Sequence, residues 1–383
     1  MQQVARKLRV VFYSNQLSIG GTEKSMELFC KYLDREKFDV YVVSRIHKER
    51  LAKRIKVELG ALVGVGSARA KKRLWAGLNA RVPAFQQTLG QERVIFVDSD
   101  NALRSVLLGL KPDILHVWYS GNPEPPTSDE EIVSKIPATI TTNAFEIANT
   151  APAHRLVKKM YFMSQWLLDH EALWAKDDPR SGVFYCPIER PLTHEDLRSK
   201  LGISKDAFVI GRVGRADPGI HDPISLQAFQ KIQNEKSYFL ALAAPENMVE
   251  EARRLGLKNF IALQPMFGAD LSRFYNTIDV LAHARRDGET FGCNIAEAMM
   301  HGKPIVSHLT KYMNAQQEVI GDAGFVVADG DWRAYAAHLE RLRDDRAFRI
   351  ELAKRAEARA LEQFEVERLT KKLEGIYEDL SRF

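Results

Sequence analysis

The chain alternates between two kinds of segment, and this alternation restricts its fold more than any single motif does. Short β-branched, apolar runs recur at Arg9–Tyr13, Phe38–Val43, Arg93–Val97, Ile114–Val117, Thr139–Asn143 and Tyr161–Ser164. Between them lie stretches with apolar residues at helical spacing, such as Met26, Phe29, Cys30 and Leu33. The same rhythm resumes with Phe208 into the glycine-rich turn at Gly214, then Tyr238–Ala243, Phe260–Leu263, Asp279–His283, Ile305–Ser307 and Gly324–Val327. Short continuous apolar runs read as strands buried on both faces. Strands alternating with helices predict parallel sheets covered by helices, so the fold class is α/β. Pro187 and Pro191 flank Ile188-Glu189-Arg190 and mark a linker between the two sets. With 383 residues, two doubly wound Rossmann-like domains are expected, 1–187 and 188–363. Gln165–Trp174, Trp332–Arg343 and Arg346–Arg382 are expected to be helical.

The stretch from Asp287 to Val306 reads as a loop, a helix and a buried strand. Glu289 lies at the helix mouth and Glu297 about two turns further on; between them an exposed Phe291-Gly292 pair is expected. A helix start offers backbone N–H groups and a positive dipole end to an anion. Carboxylates are acceptor-only groups that suit hydroxyls. The two together suggest a nucleotide-sugar. A second glycine loop, Leu17–Glu23, joins the first strand to a helix, and Gly20 and Gly21 there allow close approach of a ligand. The run Gly211-Arg212-Val213-Gly214 lacks the register of a dinucleotide fingerprint.

This order of residues resembles retaining glycosyltransferases of the GT-B fold, in particular family four (glycosyl transferases group 1). The likeness runs from Gly20-Gly21 to the last helix and includes the glutamate pair, Phe291-Gly292, the small-residue helix and Gly302-Lys303-Pro304. It implies that the two domains face a central cleft, with 364–383 packing back on the first. It implies donor contacts from Gly20, Gly21, Arg215, Glu289, Thr290, Phe291, Gly292, Cys293, Asn294 and Glu297. Arg215 would hold the diphosphate, Glu289 the sugar and Glu297 the ribose. The family has a Lys about five residues after the Arg; here Ile220 stands there, and the resemblance implies either that His221 or a residue from another loop substitutes or that donor binding is weaker. His116 ends a strand at the acceptor side, where Trp118, Tyr119 and Asn143 are expected to line the pocket. Trp118 occupies a place where some relatives have a second His, and Asn143 one where many relatives have His. His116, Arg215 and Glu289 form the expected catalytic set, with His116 alternatively a buried, satisfied residue.

The implied function is transfer of a sugar from a nucleoside diphosphate sugar to a glycan or lipid-linked acceptor, as in envelope polysaccharide assembly. No metal or other cofactor is required by this reading. A nucleotide-sugar epimerase and a non-catalytic partner subunit are the alternatives. Residues 1–80 carry 17 Lys and Arg against 7 Asp and Glu, so their charge exceeds the net +5 of the chain. The basic segments at 45–59 and 68–87 suit an anionic membrane surface, or alternatively pack as surface helices on the sheet. Nucleic acid is not expected, because no zinc-finger, RNP or helix-turn-helix signature is present. Three distant cysteines, no secretory leader and no apolar run of bilayer-spanning length point to the cytoplasm, with possible peripheral attachment to the membrane's inner face.

Overall fold

The structure, a computed structural model, describes residues 6–46 and 78–382. The basic segments expected over 45–59 and 68–87 lie largely outside the described residues. The chain forms two compact units. One holds the described residues up to Met163, then Leu167–Pro187 and the last helix from Val366. The other holds Ser164–Trp166 and Ile188–Glu365.

The first unit is built on a parallel sheet of β1 (Leu8–Ser14), β2 (Phe38–Arg45), β3 (Val94–Val97), β4 (Ile114–Tyr119), β5 (Ala138–Asn143), β6 (Lys159–Phe162) and β7 (Ser181–Val183). Its strand order is β3-β2-β1-β4-β5-β6-β7. Consecutive residues Val10, Val11, Phe12 and Tyr13 are all buried, as a strand covered on both faces requires. The winding reverses between β1 and β4. Helix Asp100–Leu110 begins where Ser99 Oγ accepts from Ala102 N–H, and Glu130–Lys135 where Asp129 accepts from Glu131 and Ile132 N–H. Such caps satisfy backbone donors that a helix start leaves unpaired. Helix Val366–Leu380 buries Val366, Leu369, Thr370, Leu373 and Tyr377, one stripe at helical spacing. Tyr377 packs edge-on against Phe12 and Phe38.

The second unit repeats the plan with β8 (Phe208–Val213), β9 (Ser237–Leu242), β10 (Phe260–Leu263), β11 (Val280–Ala282), β13 (Ile305–His308) and β15 (Gly324–Val327), in the order β10-β9-β8-β11-β13-β15. A separate parallel ladder joins β12 (Gly288–Glu289) to β14 (Met313–Asn314). The core gathers Phe208, Ile210, Phe229, Phe239, Leu339 and Tyr335; each such fully buried side chain contributes roughly 1.5–3 kcal/mol. The α/β, doubly wound arrangement is the one the alternation predicts.

Two expected helices differ. Arg346–Arg382 is broken into Arg346–Gln363 and Val366–Leu380. The break falls where Phe364 turns its ring edge-on to Phe291 and Glu365 bridges to Ile188. Gln165–Trp174 is helical as expected but irregular, with a π-helix at Leu167–Glu171 followed by a 3-10 helix at Leu173–Ala175. There Gln165 and Trp166 N–H donate to the Glu318 carboxylate at 3.0 and 2.6 Å, which satisfies donors that a helix start leaves unpaired.

Candidate functional site

In the second unit the winding reverses between β8 and β11, and ligands of such sheets bind beyond the strand ends at that point. β8 runs out into Val213, Gly214 and the exposed Arg215. β11 runs out into His283, and the chain then passes through Arg285, Asp287 and Glu289 to the helix Cys293–Met300. Asn294 Nδ2 donates to the Val213 carbonyl at 2.9 Å, tying the helix start to the end of β8.

Glu289 is the centre of this cluster. His283 Nε2 lies 3.1 Å from its Oε1, and Arg285 Nη1 lies 3.3 Å from the same oxygen. A carboxylate only accepts, so His283 donates through Nε2. Its Nδ1 lies 2.9 Å from Ser307 Oγ. Arg285 also forks onto Asp287, with Nε and Nη2 at 2.7 and 2.6 Å from the two oxygens. Burial disfavours a charged Glu289, but the Arg285 charge and the His283 bond outweigh it and hold its carboxyl below the usual glutamate range. Asp287 is likewise lowered: burial opposes its charge, Arg285 favours it most, and Arg215 adds to the effect. Arg215 and Asp287 are thus within electrostatic reach.

The helix begins at Gly292, whose φ of 97° falls in the left-handed region; a glycine takes this conformation without steric cost. Glu297 is buried and accepts from the Tyr275 hydroxyl at 2.8 Å. Burial first, and then the Glu297 charge, raises the Tyr275 phenol far above its usual range. Cys293 is half-buried. The Thr290 carbonyl accepts from Ser164 Oγ at 2.8 Å. Phe291 is 2% exposed, which corrects the expectation of an exposed Phe-Gly pair: its ring meets Phe364 at 5.3 Å, edge-on. Arg215, Glu289, Thr290, Phe291, Gly292, Cys293, Asn294 and Glu297 therefore all belong to this region of one unit. His221 departs from its expected role. It is buried, and Nε2 lies 2.7 Å from Glu251 Oε2, so its imidazole is occupied by a carboxylate.

The other expected residues lie in the first unit. Gly20 precedes the helix that Gly21 starts. Glu23 turns back to accept from Ser18 Oγ and Gln16 Nε2 at 2.7 and 3.0 Å. His116 is 1% exposed; Nδ1 lies 2.6 Å from Tyr377 Oη and Nε2 2.8 Å from Thr142 Oγ1. Burial alone pushes its pKa down to about 3. This corrects the expectation that His116 contacts the reacting groups, because both ring nitrogens are used inside the core. Trp118 packs on Phe29 and His116. Tyr119 Oη lies 3.3 Å from His154 Nε2 and from Asn149 Nδ2. Asn143 donates to Thr141 Oγ1 and to the Tyr161 carbonyl. Trp118, Tyr119 and Asn143 are all buried.

Residues the sequence reading passed over are His283, Arg285 and Tyr275. His283 and Arg285 carried a faint signal, as ionisable groups just beyond a buried strand. Tyr275 carried none, since its partner Glu297 lies 22 positions away. Among the described residues, no group of three or more His, Cys, Asp or Glu is placed to hold a metal ion.

Comparison with known proteins bears on this geometry. A relative named capsular polysaccharide biosynthesis glycosyltransferase CapM, from Staphylococcus aureus, is 31% identical over 183 residues, 45% of this chain and 46% of that protein. The chain thus spans about half the length of this curated relative. A glycosyltransferase structure from Rickettsia africae matches with a TM-score of 0.72 at 14% identity, covering 98% of this chain and 99% of that one. Anabaena Alr3699/HepE in complex with UDP matches with a TM-score of 0.69 at 18% identity, covering 99% and 100%. These structures share the fold. Residues 193–361, which contain the whole Arg215–Glu297 cluster, match the family described as glycosyl transferases group 1.

Proposed function

We propose that the chain is a retaining glycosyltransferase that moves a sugar from a nucleoside diphosphate sugar to a glycan or lipid-linked acceptor in envelope polysaccharide assembly. The observation that carries this reading is the ionised Glu289, held by His283 and Arg285 at the strand ends beside a helix start and Arg215. Acceptor oxygens next to cations suit one ligand that bears both hydroxyls and phosphates. The determination of Alr3699/HepE with UDP and the naming of CapM for capsular polysaccharide biosynthesis support the choice of donor and pathway class.

In this reading the bond from the anomeric carbon to the diphosphate oxygen breaks, and its electron pair leaves with the diphosphate. The acceptor oxygen bonds to the same carbon on the same face, and its proton passes to the departing phosphate oxygen. Arg215 and the dipole of helix Cys293–Met300 stabilise the negative charge that builds on the leaving group. Glu289 orients sugar hydroxyls, and Glu297 takes the ribose. Gly20, Gly21, Trp118, Tyr119 and Asn143 belong to the acceptor-side unit. Attachment to the inner face of a membrane through the basic first segment is part of the proposal; among the described residues no helix is long and apolar enough to cross a bilayer. The test is a panel of UDP-, GDP-, ADP- and TDP-sugars. One of them should be turned over, and Glu289→Ala and Arg215→Ala should each abolish most of that turnover. Unchanged turnover in both variants refutes the mechanism.

A further inference from the structure

Arg212 is the largest fully buried side chain in the described structure, and it has no partner. It is 2% exposed, and neither Nη1 nor Nη2 has a hydrogen-bond acceptor. Buried guanidinium groups are normally paired, because their five donors lose water on burial. Packing does not account for a cation at this place. Arg212 shares its face of β8 with Phe208 and Ile210, which sit in the apolar core, and an aliphatic side chain would continue that row.

Its surroundings give it a use. A Cβ added to Gly214 would stand 2.8 Å from Arg212 Cζ and Nη2 and 2.9 Å from Nη1. The guanidinium therefore lies directly against the turn that carries the exposed Arg215. Arg285 and Glu289 are the charges that act on it most: burial first, then Arg285, pulls its pKa down to about 10, and Glu289 opposes them. Even so lowered, the group keeps its proton at neutral pH. Three arginines, Arg212, Arg215 and Arg285, then stand against two carboxylates, Asp287 and Glu289, leaving a positive surplus at the ends of β8 and β11.

We propose that Arg212 is a ligand-binding residue whose two unpaired terminal nitrogens take the phosphate oxygens of a nucleoside diphosphate seated at the Gly214–Arg215 turn. The proposal rests on the nucleotide-sugar reading above and adds a residue to it. A buried cation already stripped of water is preorganised for an incoming anion. In the free protein the same cation is a destabilising group.

The experiment compares the native chain with Arg212→Met and Arg212→Lys. Each is titrated calorimetrically with UDP, GDP, ADP and TDP and with the matching nucleosides, and melted without ligand. The expected result is that Arg212→Met loses diphosphate affinity about tenfold or more, while nucleoside affinity stays within about twofold and Tm holds or rises. Arg212→Lys, which keeps the charge and the core stem, falls between. A loss confined to the diphosphate supports the proposal whatever Tm does. Equal losses for nucleoside and diphosphate, or no loss, overturn it and make Arg212 a packing residue. If the native chain binds none of the four nucleotides, the nucleotide reading itself fails. Binding by the native chain with no selective loss in the variants removes only Arg212.

Discussion

His283 and Glu289 are joined side chain to side chain, Nε2 to Oε1 at 3.1 Å, with Ser307 at 2.9 Å on the far ring nitrogen. Three elements meet in this relay: Ser307 from β13, His283 beyond β11 and Glu289 from β12. The hydroxyl fixes the imidazole, and the imidazole fixes the carboxylate. Arg285 then keeps that carboxylate charged.

Glu289→Gln should therefore lower kcat about 100-fold or more, in line with loss of a preorganised charged group. His283→Asn should cost less, about tenfold, because it loosens an orienting contact and leaves the carboxylate in place. Steady-state kinetics with the active donor measures both. A larger loss in His283→Asn than in Glu289→Gln would place the chemistry on the imidazole.

Much of the fold was legible because its signals are local. Phe38–Val43 and Ile114–Val117 read as strands from consecutive β-branched residues, and in the structure each extends two residues further. Ser181–Val183 carried no such run, and it is a half-buried edge strand. At the candidate site, the glutamate pair stands out from its spacing around a helix start, and Arg215 comes from the family resemblance. The roles of His116 and His221 could not. Each is a histidine near a strand end or turn, and what distinguishes it is a partner far away in sequence, Tyr377 or Glu251. Arg212 reads only as part of a strand running into a turn, because nothing in a linear sequence reports a missing partner.

The burial of His116 makes stability depend on pH. In the folded chain its pKa is pushed down to about 3, against an ordinary value near 6.5 in the unfolded chain. Below about pH 6.5 the unfolded state binds the proton that the folded state refuses, so stability falls as pH falls. The loss tends to about 1.4 kcal/mol per pH unit for this one group and continues down to about pH 3. His116→Asn should flatten this part of the profile, while the carboxylates supply the remaining acid sensitivity. Urea unfolding of both proteins between pH 7 and pH 4.5 measures the difference; parallel profiles would mean that His116 charges without unfolding the chain.

Arg215 and His221 stand in the same loop region and should separate cleanly by variant. Arg215 is exposed, and truncating an exposed side chain usually changes stability by no more than about 0.5 kcal/mol. Arg215→Ala should thus melt like the native chain, while nucleoside diphosphate affinity falls about tenfold or more through loss of a charge-assisted contact. His221 has the opposite profile. It is buried, and its Nε2 is 2.7 Å from the Glu251 carboxylate. His221→Ala removes the partner of Glu251 Oε2 and leaves Arg254 on Oε1 at 3.3 Å, at a cost of about 1–3 kcal/mol, and should lower Tm while diphosphate affinity stays within about twofold of native. Calorimetric titration with UDP and a thermal melt of both variants give the four numbers. If His221→Ala weakens diphosphate binding as much as Arg215→Ala does, the imidazole leaves Glu251 when the ligand arrives, and the phosphate site extends to the far side of the loop.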